Sequence, residues 1–471
     1  MALLGLELSD AGILVAGGEP ARLLPIDGKM LESPGYAVPE KKHLLVGRSA
    51  EGKAHLLPLQ VNNRFWDQLN TEPLEKKTRH AQNHAEIACD HLSLIWENVK
   101  MHGDDMIIAV PDYYGREHLG LILGMAQELS IPLKGFVSLP IAASVNPWPD
   151  AMLLHLDIHL HRFEITYLHQ GKDLTREQST DVQEIKLEQL YRKYVESIAE
   201  EFVRNTRFDP LHKAATEQAL YNRLPAALEI LKVNSSFLFE ISHGKHIYRI
   251  TLSRDRLKRK SAPTYDEILN LIGQMRAAHG KNDFRIVLQL THRMGCLPGL
   301  KDKLSTIDNC EITELDPGAA AMGVLGLVSR LPRRQDRHGV SYSTSRPWRR
   351  AARADARTSP EKRPDRLRAT HLLHRDMAYP LSGKPLIIGS SDDPDGENRH
   401  IRIRSSGISG KHCKIQRDKD TIVITDCSRQ GTFVDGQKVE GNSMMEFGQT
   451  IRLGTSEETL RLIACVEGDE T

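Results

Sequence analysis

The richest set of chemically active side chains lies in residues 153–166, where imidazoles and carboxylates alternate with apolar residues. The pattern predicts two β-strands joined by a tight turn, the arrangement of a phosphate-binding loop. Such loops use glycine because a Cβ atom would keep the backbone N–H groups away from the phosphate oxygens. His159, Leu160 and His161 stand where those glycines would be. The segment therefore indicates a phosphate site that has lost its phosphate chemistry.

The same imidazoles have a second interpretation, as metal ligands. On one uninterrupted strand, the side chains of His155, Asp157, His159 and His161 would share a face and form a suitable set for zinc or non-haem iron. A turn is expected near His159 to His161, and it would break that alternation. We therefore favour polar residues that line a former nucleotide cleft, and we expect no metal site.

Composition is that of an ordinary globular protein. With 471 residues and a formal net charge of +1, the chain is long enough for several domains and lacks the overall basic character of a nucleic-acid-binding protein. The 6 cysteines have no paired CxxC spacing, which favours reduced thiols. The N-terminus lacks the basic start of a signal peptide, and no stretch approaches the ~20 apolar residues of a membrane span. These features predict a cytoplasmic protein.

An arginine- and proline-rich segment separates two different fold classes. Residues 329–377 have almost no periodic apolar residues, which predicts a disordered basic linker. Residues 1–328 alternate strand and helix patterns and predict an α/β domain. Residues 378–466 contain short strands separated by turn residues and predict an all-β domain, followed by an acidic tail at residues 467–471.

Several elements would position the polar residues of the first domain. Their apolar patterns predict strands at residues 5–8, 13–16 and 106–111, and helices at residues 120–130 and 185–205. The last helix places Leu190, Tyr194 and Ile198 on one face, so we expect that face to be buried.

The order of these segments resembles the nucleotide-binding domain of the seventy-kilodalton heat-shock chaperones, in the actin-like ATPase superfamily. The resemblance covers roughly residues 1–328 and implies an α/β actin-like ATPase fold with two ribonuclease-H-like lobes. The segments that carry it are Gly5–Ala11 and Asp157–Glu164 (phosphate motifs), Ile286–Arg293 (adenosine strand), Ile108–Tyr114, Leu139–Ala143 and Asp316–Gly323.

The residues that the resemblance implies for phosphate chemistry are mostly replaced. The acids that remain, as catalytic remnants, are Glu7, Asp157 and Glu164. Glu51 stands in place of the family's hydrolytic lysine, and Leu139 in place of its magnesium-side glutamate. These changes remove transition-state stabilisation and metal positioning. Asp10, behind the first strand, would repel a triphosphate.

The adenosine side keeps more of the family's residues. Glu229, Lys232 and Ser236 keep the spacing of the helix that faces base and ribose, and Arg293 stands where the purine-stacking arginine would be. The two glycines of the adenosine strand are replaced by larger side chains. Three interpretations stay open: active ATP hydrolysis, binding of ATP or ADP with Mg²⁺ without turnover, or no nucleotide at all, with Glu229 and Lys232 as a surface ion pair.

The C-terminal strands resemble a forkhead-associated (FHA) domain, a β-sandwich that binds phosphothreonine peptides. The motifs that carry the resemblance are Gly389, the Ser-x-x-His of Ser409 and His412, and Gly-Thr-Phe-Val-x-Gly at residues 431–436. The resemblance implies that Ser409 contacts the phosphate and that His412 braces the loop. It also implies structural roles for Gly389 and Gly431.

Two positions depart from the FHA pattern, because Ser390 replaces an expected arginine and Gln430 an expected asparagine. Cationic donors make the strong phosphate contacts, so another cation must replace the arginine. The candidates in or beside the predicted loops are Arg399, Arg402, Arg404, Lys411 and Arg429. We expect a phosphopeptide site formed by Ser409, Lys411, Arg402, Arg429 and Gln430. Phosphate-independent binding and a purely structural sandwich are the alternatives.

The arginine-rich segment offers partners of its own. Thr344, Thr358 and Thr370 are candidate phosphoacceptors, and a phosphorylated one would be able to dock on the FHA domain in cis or on a neighbouring chain. The arginines around Trp348 also suit contact with nucleic acid or anionic lipid, although we favour a solvated spacer.

Taken together, these patterns predict a cytoplasmic, non-catalytic scaffold without a membrane span. A chaperone-like ATPase fold would serve as a binding surface, coupled to a module that reads phosphothreonine-containing proteins as a signalling or assembly adaptor. The alternative is an ATP-dependent heat-shock-type chaperone or ATPase regulated through its FHA domain.

Overall fold

The structure, a computed structural model, resolves two compact units, Met1–Arg353 and Ala354–Thr471. It describes residues 2–76, 79–280, 284–327, 340–347, 371–374, 377–381, 385–391, 399–403, 405–418, 421–439, 441–445, 449–456 and 458–463. Thr358, Thr370, Arg404, Trp348 and the acidic tail, which carry predictions made above, lie outside these residues.

Parts of the predicted disordered linker at residues 329–377 form strands in the structure. Residues 341–347 form two short strands of the N-terminal unit, and residues 371–374 form a strand of the C-terminal unit. Tyrosine favours extended backbone, and neighbouring sheets supply the hydrogen-bond partners that composition alone does not reveal.

The N-terminal unit is mixed α/β, as predicted. Its strands are β1 Leu3–Glu7, β2 Ile13–Gly17, β3 Arg22–Leu23, β4 Glu32–Ser33, β5 Ala37–Pro39, β6 Leu44–Val46, β7 Asp105–Val110, β8 Leu133–Ser138, β9 Ala151–Ile158, β10 Phe163–Gln170, β11 Asp173–Val182, β12 Ser236–His243, β13 His246–Ser253, β14 Arg285–Leu290, β15 Cys310–Glu314, β16 Ser341–Ser343 and β17 Ser345–Pro347.

Helices cover these strands. They are α1 Arg48–Glu51, α2 His84–Val99, α3 Arg116–Glu128, α4 Leu139–Ala143, α5 Leu187–Thr206, α6 Ala214–Val233, α7 Arg254–Ala278, α8 His292–Gly295, α9 Leu300–Leu304 and α10 Ala319–Leu325, with a 3-10 turn at Pro210–His212. The predicted helices at 120–130 and 185–205 correspond to α3 and α5. None of the helices in the described ranges is long and apolar enough to cross a membrane.

Two large sheets of the N-terminal unit share one strand pattern. The first has the order β16-β8-β7-β1-β2-β3, and the second the order β15-β14-β9-β10-β11-β17. In the first sheet, β1 pairs antiparallel with β2 and parallel with β7. In the second sheet, β9 pairs antiparallel with β10 and parallel with β14. The two halves of this unit, here called the first and second lobes, are therefore built alike.

Helices α4 and α10 pack against each other and against residues of both sheets. Buried side chains of this layer include Leu139, Leu153 and Val324, together with Ile107 and Val287 from the two sheets. The approach is so close that a Cβ atom at Gly323 would lie 1.8 Å from the carbonyl oxygen of Ala142. Only glycine fits there.

The C-terminal unit is a sandwich of two sheets. Its strands are β18 His371–His374, β19 Met377–Pro380, β20 Leu386–Gly389, β21 Arg399–Arg402, β22 Cys413–Asp418, β23 Thr421–Asp426, β24 Thr432–Val434, β25 Gln437–Lys438, β26 Asn442–Met445, β27 Thr450–Leu453 and β28 Thr459–Ile463. One sheet has the order β19-β18-β28-β27-β24-β25 and the other β21-β20-β22-β23-β26. Apolar side chains from both, such as Ile388, Ile424 and Leu462, fill the core between them.

The close helix contact makes a testable prediction. Gly323→Ala should lower the free energy of unfolding by about 3 kcal/mol or more, because the new methyl group overlaps backbone atoms that cannot rotate away. Gly124, on the exposed side of α3, has no atom within 4 Å of an added Cβ. Gly124→Ala should therefore raise stability by ~0.5–1 kcal/mol through helix propensity. Urea unfolding of both variants checks this, and equal effects would contradict the packing described.

Candidate functional site

The turn between β9 and β10 directs its backbone N–H groups at a carboxylate rather than at an open phosphate site. Leu160 N donates to Asp10 Oδ1 at 2.7 Å, and His161 N donates to Asp10 Oδ2 at 3.2 Å. His161 Nδ1 donates to the same Oδ2 at 2.9 Å. Asp10 follows β1 in the first lobe and the turn belongs to the second, so these bonds join the two lobes.

His159 lies in the same buried cluster and carries a positive charge. Its Nδ1 donates to Ser9 Oγ at 2.9 Å, and its Nε2 lies 3.6 Å from carboxylate oxygens of both Asp157 and Glu164. Burial disfavours the imidazolium, but the carboxylates of Asp157, Glu164 and Asp10 outweigh it and raise the pKa of His159 to about 9.

Asp10 remains ionised although it is buried. Burial opposes its charge, but the hydrogen bond from His161 and the charge of His159 hold the pKa of Asp10 below its usual value. Backbone N–H groups and imidazoles thus solvate this carboxylate as they would solvate an anionic ligand. The expectation that Asp10 repels a phosphate does not include this role, in which Asp10 accepts from the backbone and the imidazole of the turn.

The metal interpretation fails on geometry. Strand β9 ends at Ile158, so His159 and His161 lie on the turn and do not continue the alternation of His155 and Asp157. Among the described residues, no group of three or more His, Cys, Asp or Glu side chains is arranged to hold a metal ion.

The three predicted acidic remnants lie close to this cluster but are engaged. Asp157 Oδ1 accepts from Thr291 Oγ1 at 2.8 Å, and Glu164 Oε1 accepts from Ser179 Oγ at 2.9 Å. Glu7 Oε2 accepts from Ala320 N at 3.0 Å at the start of α10, and burial raises the pKa of Glu7. Each carboxylate therefore has a structural partner in the fold.

Two of the four predicted adenosine residues line a narrow cleft between the lobes. Glu229 and Arg293 border a cavity of about 240 Å³, together with Tyr36, Tyr191 and Glu51. This volume is below the roughly 300–1,000 Å³ usual for ligand pockets. A larger groove of about 1340 Å³ runs beside β5 and β6, but it contains none of the predicted site residues.

The remaining adenosine predictions are not supported by the geometry. Helix α6 ends at Val233, so Ser236 begins strand β12, where its side chain is exposed and does not border the cleft. Lys232 pairs with Glu314 at 2.5 Å rather than with Glu229. Arg293 is buried, donates to Gly12 O at 2.8 Å and forms an ion pair with Glu32. Arg293 therefore ties the two lobes together.

In the C-terminal unit, glycine lets two loops meet. Gly389 ends β20, and a Cβ atom there would lie 1.9 Å from the carbonyl oxygen of Gly410. Ser390 N donates to Ser409 O at 3.0 Å, so the loop after β20 supports the loop that carries Ser409. The absence of a side chain at Gly389 thus fixes the position of Ser409.

The His412 side chain holds the same loop through two hydrogen bonds. Its Nδ1 accepts from Ser409 N at 3.1 Å, and its Nε2 donates to Gly431 O at 3.2 Å. Burial lowers the pKa of His412, which keeps the ring neutral and able to accept and donate at once. Gly431 has φ of 85°, a conformation that favours glycine.

The predicted phosphopeptide residues differ in the contacts that they make with Ser409 and with the rest of the domain. Ser409 Oγ accepts from Arg429 N at 3.2 Å, which brings the loop of Arg429 and Gln430 beside it. Lys411 and Arg429 have exposed side chains without a hydrogen-bond or ion-pair partner among the described residues. Gln430 Oε1 accepts from Thr455 Oγ1 at 3.0 Å.

The other two described cation candidates are on β21. Arg399 donates to Pro380 O at 2.5 Å and is thereby engaged with the sandwich itself. Arg402 ends β21, where it pairs with Gly389 in register and has an exposed side chain.

Sequence reasoning missed the residues that hold the lobes together. The sequence predicts only that Asp10 would repel a triphosphate, although Ser9 and Asp10, a polar pair between two apolar strands, are a signal for buried partners. The alternation of Val340, Tyr342 and Thr344 was a strand signal inside the arginine-rich segment.

Comparison with known proteins identifies one part of the chain. Residues 386–454 match the family model for the FHA domain, in agreement with the predicted all-β sandwich. No curated protein matches the chain.

The buried imidazolium makes stability depend on pH. The pKa of an unfolded histidine is about 6.5, whereas that of His159 in the folded protein is about 9. The stabilisation is therefore fully present below about pH 6.5 and is lost as pH rises through about 9. We expect a loss on the order of 3 kcal/mol over that window, measured by urea unfolding.

His159→Gln is the matched control for this titration, because other groups also lose protons in the same window. The difference between the wild-type and variant stability curves isolates the imidazole. Curves that run parallel from about pH 6 to about pH 10 would show that His159 is not charged in the folded state.

Proposed function

We propose that this protein is a non-catalytic scaffold whose FHA domain binds phosphothreonine-containing proteins. The observation that carries the proposal is the loop around Ser409, within the region that matches the FHA family. The Ser409 hydroxyl accepts a hydrogen bond from Arg429 N, while its own proton has no acceptor among the described residues. That proton is available to a phosphate oxygen.

Two cations belong to the loops that carry or contact this hydroxyl. Lys411 follows Ser409 in the same loop, and Arg429 belongs to the loop that is bonded to Ser409 Oγ. Charge-assisted hydrogen bonds to phosphate are about twice as strong as neutral ones. Lys411 and Arg429 would supply the charge that the serine at position 390 lacks, and Arg402 would extend the basic surface at the end of β21.

Gln430 would take the role of the residue that holds the peptide backbone. Its amide nitrogen is bonded to the same carbon as the oxygen that accepts from Thr455. A primary amide has two donors and one acceptor, so the contact with Thr455 orients the side chain and leaves its N–H groups for a peptide carbonyl.

The N-terminal unit would act as a binding surface rather than as an ATPase. The common strand pattern of its two large sheets supports the actin-like ATPase fold with two lobes. In the resemblance to that fold, Asp10 and His159 belong to the two segments that correspond to its phosphate motifs, and here these residues engage each other's segments. An enzyme of this kind needs both positions open to substrate.

A phosphothreonine peptide library tests the proposed reading function on the full chain. We expect retention of peptides with phosphothreonine at the fixed central position and no retention of the matching threonine peptides. For one selected peptide, Ser409→Ala should weaken binding by about tenfold or more, because a hydrogen bond to a charged group is lost.

Matched controls separate the site from general loss of charge or hydroxyl groups. Ser406→Ala removes an exposed hydroxyl from the same loop, and Lys414→Ala removes a cation from the second position of β22. Both should leave affinity within about twofold, whereas Lys411→Ala or Arg429→Ala should weaken it as Ser409→Ala does. Equal retention of phosphorylated and unphosphorylated peptides would refute the proposed function.

A further inference from the structure

One short segment adds a strand to each large sheet of the N-terminal unit. We call residues 341–347 the clasp. Its first half, β16, pairs parallel with β8, with Tyr342 opposite Phe136. Its second half, β17, pairs antiparallel with β11, with Arg346 opposite Leu174. The clasp therefore covers the edge of both sheets and spans the two lobes.

Side chains fix the clasp at both ends. Tyr342 Oη donates to Asp112 Oδ1 at 3.2 Å, and Arg176 Nη1 on β11 donates to the same oxygen at 2.8 Å. The guanidinium of Arg346 lies 3.3–3.4 Å from the carbonyl oxygens of Ile141, Ala142 and Ser144, at the C-terminal end of α4. Asp112 follows β7 of the first lobe, so its bond with Arg176 also crosses between lobes.

Thr344 lies between the two strands of the clasp. Its carbonyl oxygen accepts from Arg176 N at 3.0 Å, whereas its half-buried hydroxyl has no hydrogen-bond partner among the described residues. The hydroxyl is thus chemically unengaged, although the backbone around it is held in two sheets. Each half of the clasp pairs over only three residues, so little backbone pairing opposes release.

We infer that the clasp is releasable, that Thr344 is its phosphoacceptor, and that an FHA domain of this protein holds the released phosphothreonine. This inference rests on the proposed reading function. A protein kinase would transfer the γ-phosphoryl group of a nucleoside triphosphate to Thr344 Oγ1. The hydroxyl loses its proton, and the nucleoside diphosphate is released.

Clasp release and phosphothreonine binding are coupled because the docked clasp and the FHA-bound clasp exclude each other. The same residues cannot pair with β8 and β11 and also lie across the FHA loops. Binding to the FHA domain therefore stabilises only the released state and shifts the population toward it. By the same linkage, a docked clasp lowers the apparent affinity for the phosphothreonine.

Hydrogen exchange of the full chain tests this inference. Phosphothreonine is incorporated at position 344 during translation, and amide exchange is followed in β8 (Gly135–Val137) and β11 (Asp173–Thr175). We expect exchange at both strands to be at least about tenfold faster than in the unphosphorylated protein, because it reports the population of the open form. Combination with Ser409→Ala should restore slow exchange.

Further variants separate the possible outcomes. Tyr342→Phe removes only the hydroxyl bonded to Asp112, and it should speed exchange in β8 and β11 together if the clasp acts as one unit. Thr344→Val should leave exchange slow. Slow exchange in the phosphorylated protein, or fast exchange that Ser409→Ala does not reverse, overturns the inference.

A peptide of the clasp sequence distinguishes this failure from failure of the reading function. Binding of the phosphothreonine peptide to the full chain without clasp release refutes only the inference made here. Failure of every phosphothreonine peptide to bind refutes the proposed function as well. A dependence of exchange on protein concentration would identify the reader as a second copy rather than the same chain.

Discussion

The N-terminal unit depends on one buried carboxylate. Asp10 leaves the end of the first strand and accepts the backbone N–H groups of Leu160 and His161, which belong to the turn of the other lobe. An unpaired carboxylate at this depth would cost several kcal/mol, so the turn and its imidazoles must remain in place around it. Because an internal carboxylate accepts from these donors, the two lobes are joined through Asp10.

Charge balance extends this constraint to the surrounding residues. His159 brings a positive charge between Asp157 and Glu164, and Arg293 pairs with Glu32 across the remaining cleft. Burial raises the pKa of Glu32, but the charge of Arg293 outweighs it and lowers that pKa to about 2. The cavity of about 240 Å³ in this interior borders charged groups that already have partners.

In the FHA domain, glycines and a neutral histidine hold the loops together. Gly389 and Gly431 permit close backbone contact, and neutral His412 joins the two loops by accepting from one and donating to the other. The cations Lys411 and Arg429 are left at the surface rather than neutralised. The N-terminal unit thus pairs the buried Arg293 with Glu32, whereas the C-terminal unit exposes two cations in the loops around Ser409.

The sequence predicted what depends on local pattern. Helix α5 was recognised from its apolar period, and the FHA sandwich from glycines and a Ser-x-x-His spacing, because those signals lie within a few residues of each other. The bonds of Asp10 join positions 150 residues apart, and no periodicity reveals them. Ser236 was assigned to a helix because spacing alone does not show that α6 ends at Val233. The strands of the clasp were hidden by the arginine-rich composition around them.

Thermal unfolding with and without Mg-ATP tests most directly the central proposal, that Asp10 and His159 take the place of a bound phosphate. A ligand at ~100 times its dissociation constant adds ~2.7 kcal/mol of stability to the state that binds it. The filled site predicts the same unfolding temperature in the presence and absence of Mg-ATP. A rise in that temperature that disappears in an Arg293→Ala variant would place a nucleotide in the cleft and contradict the account.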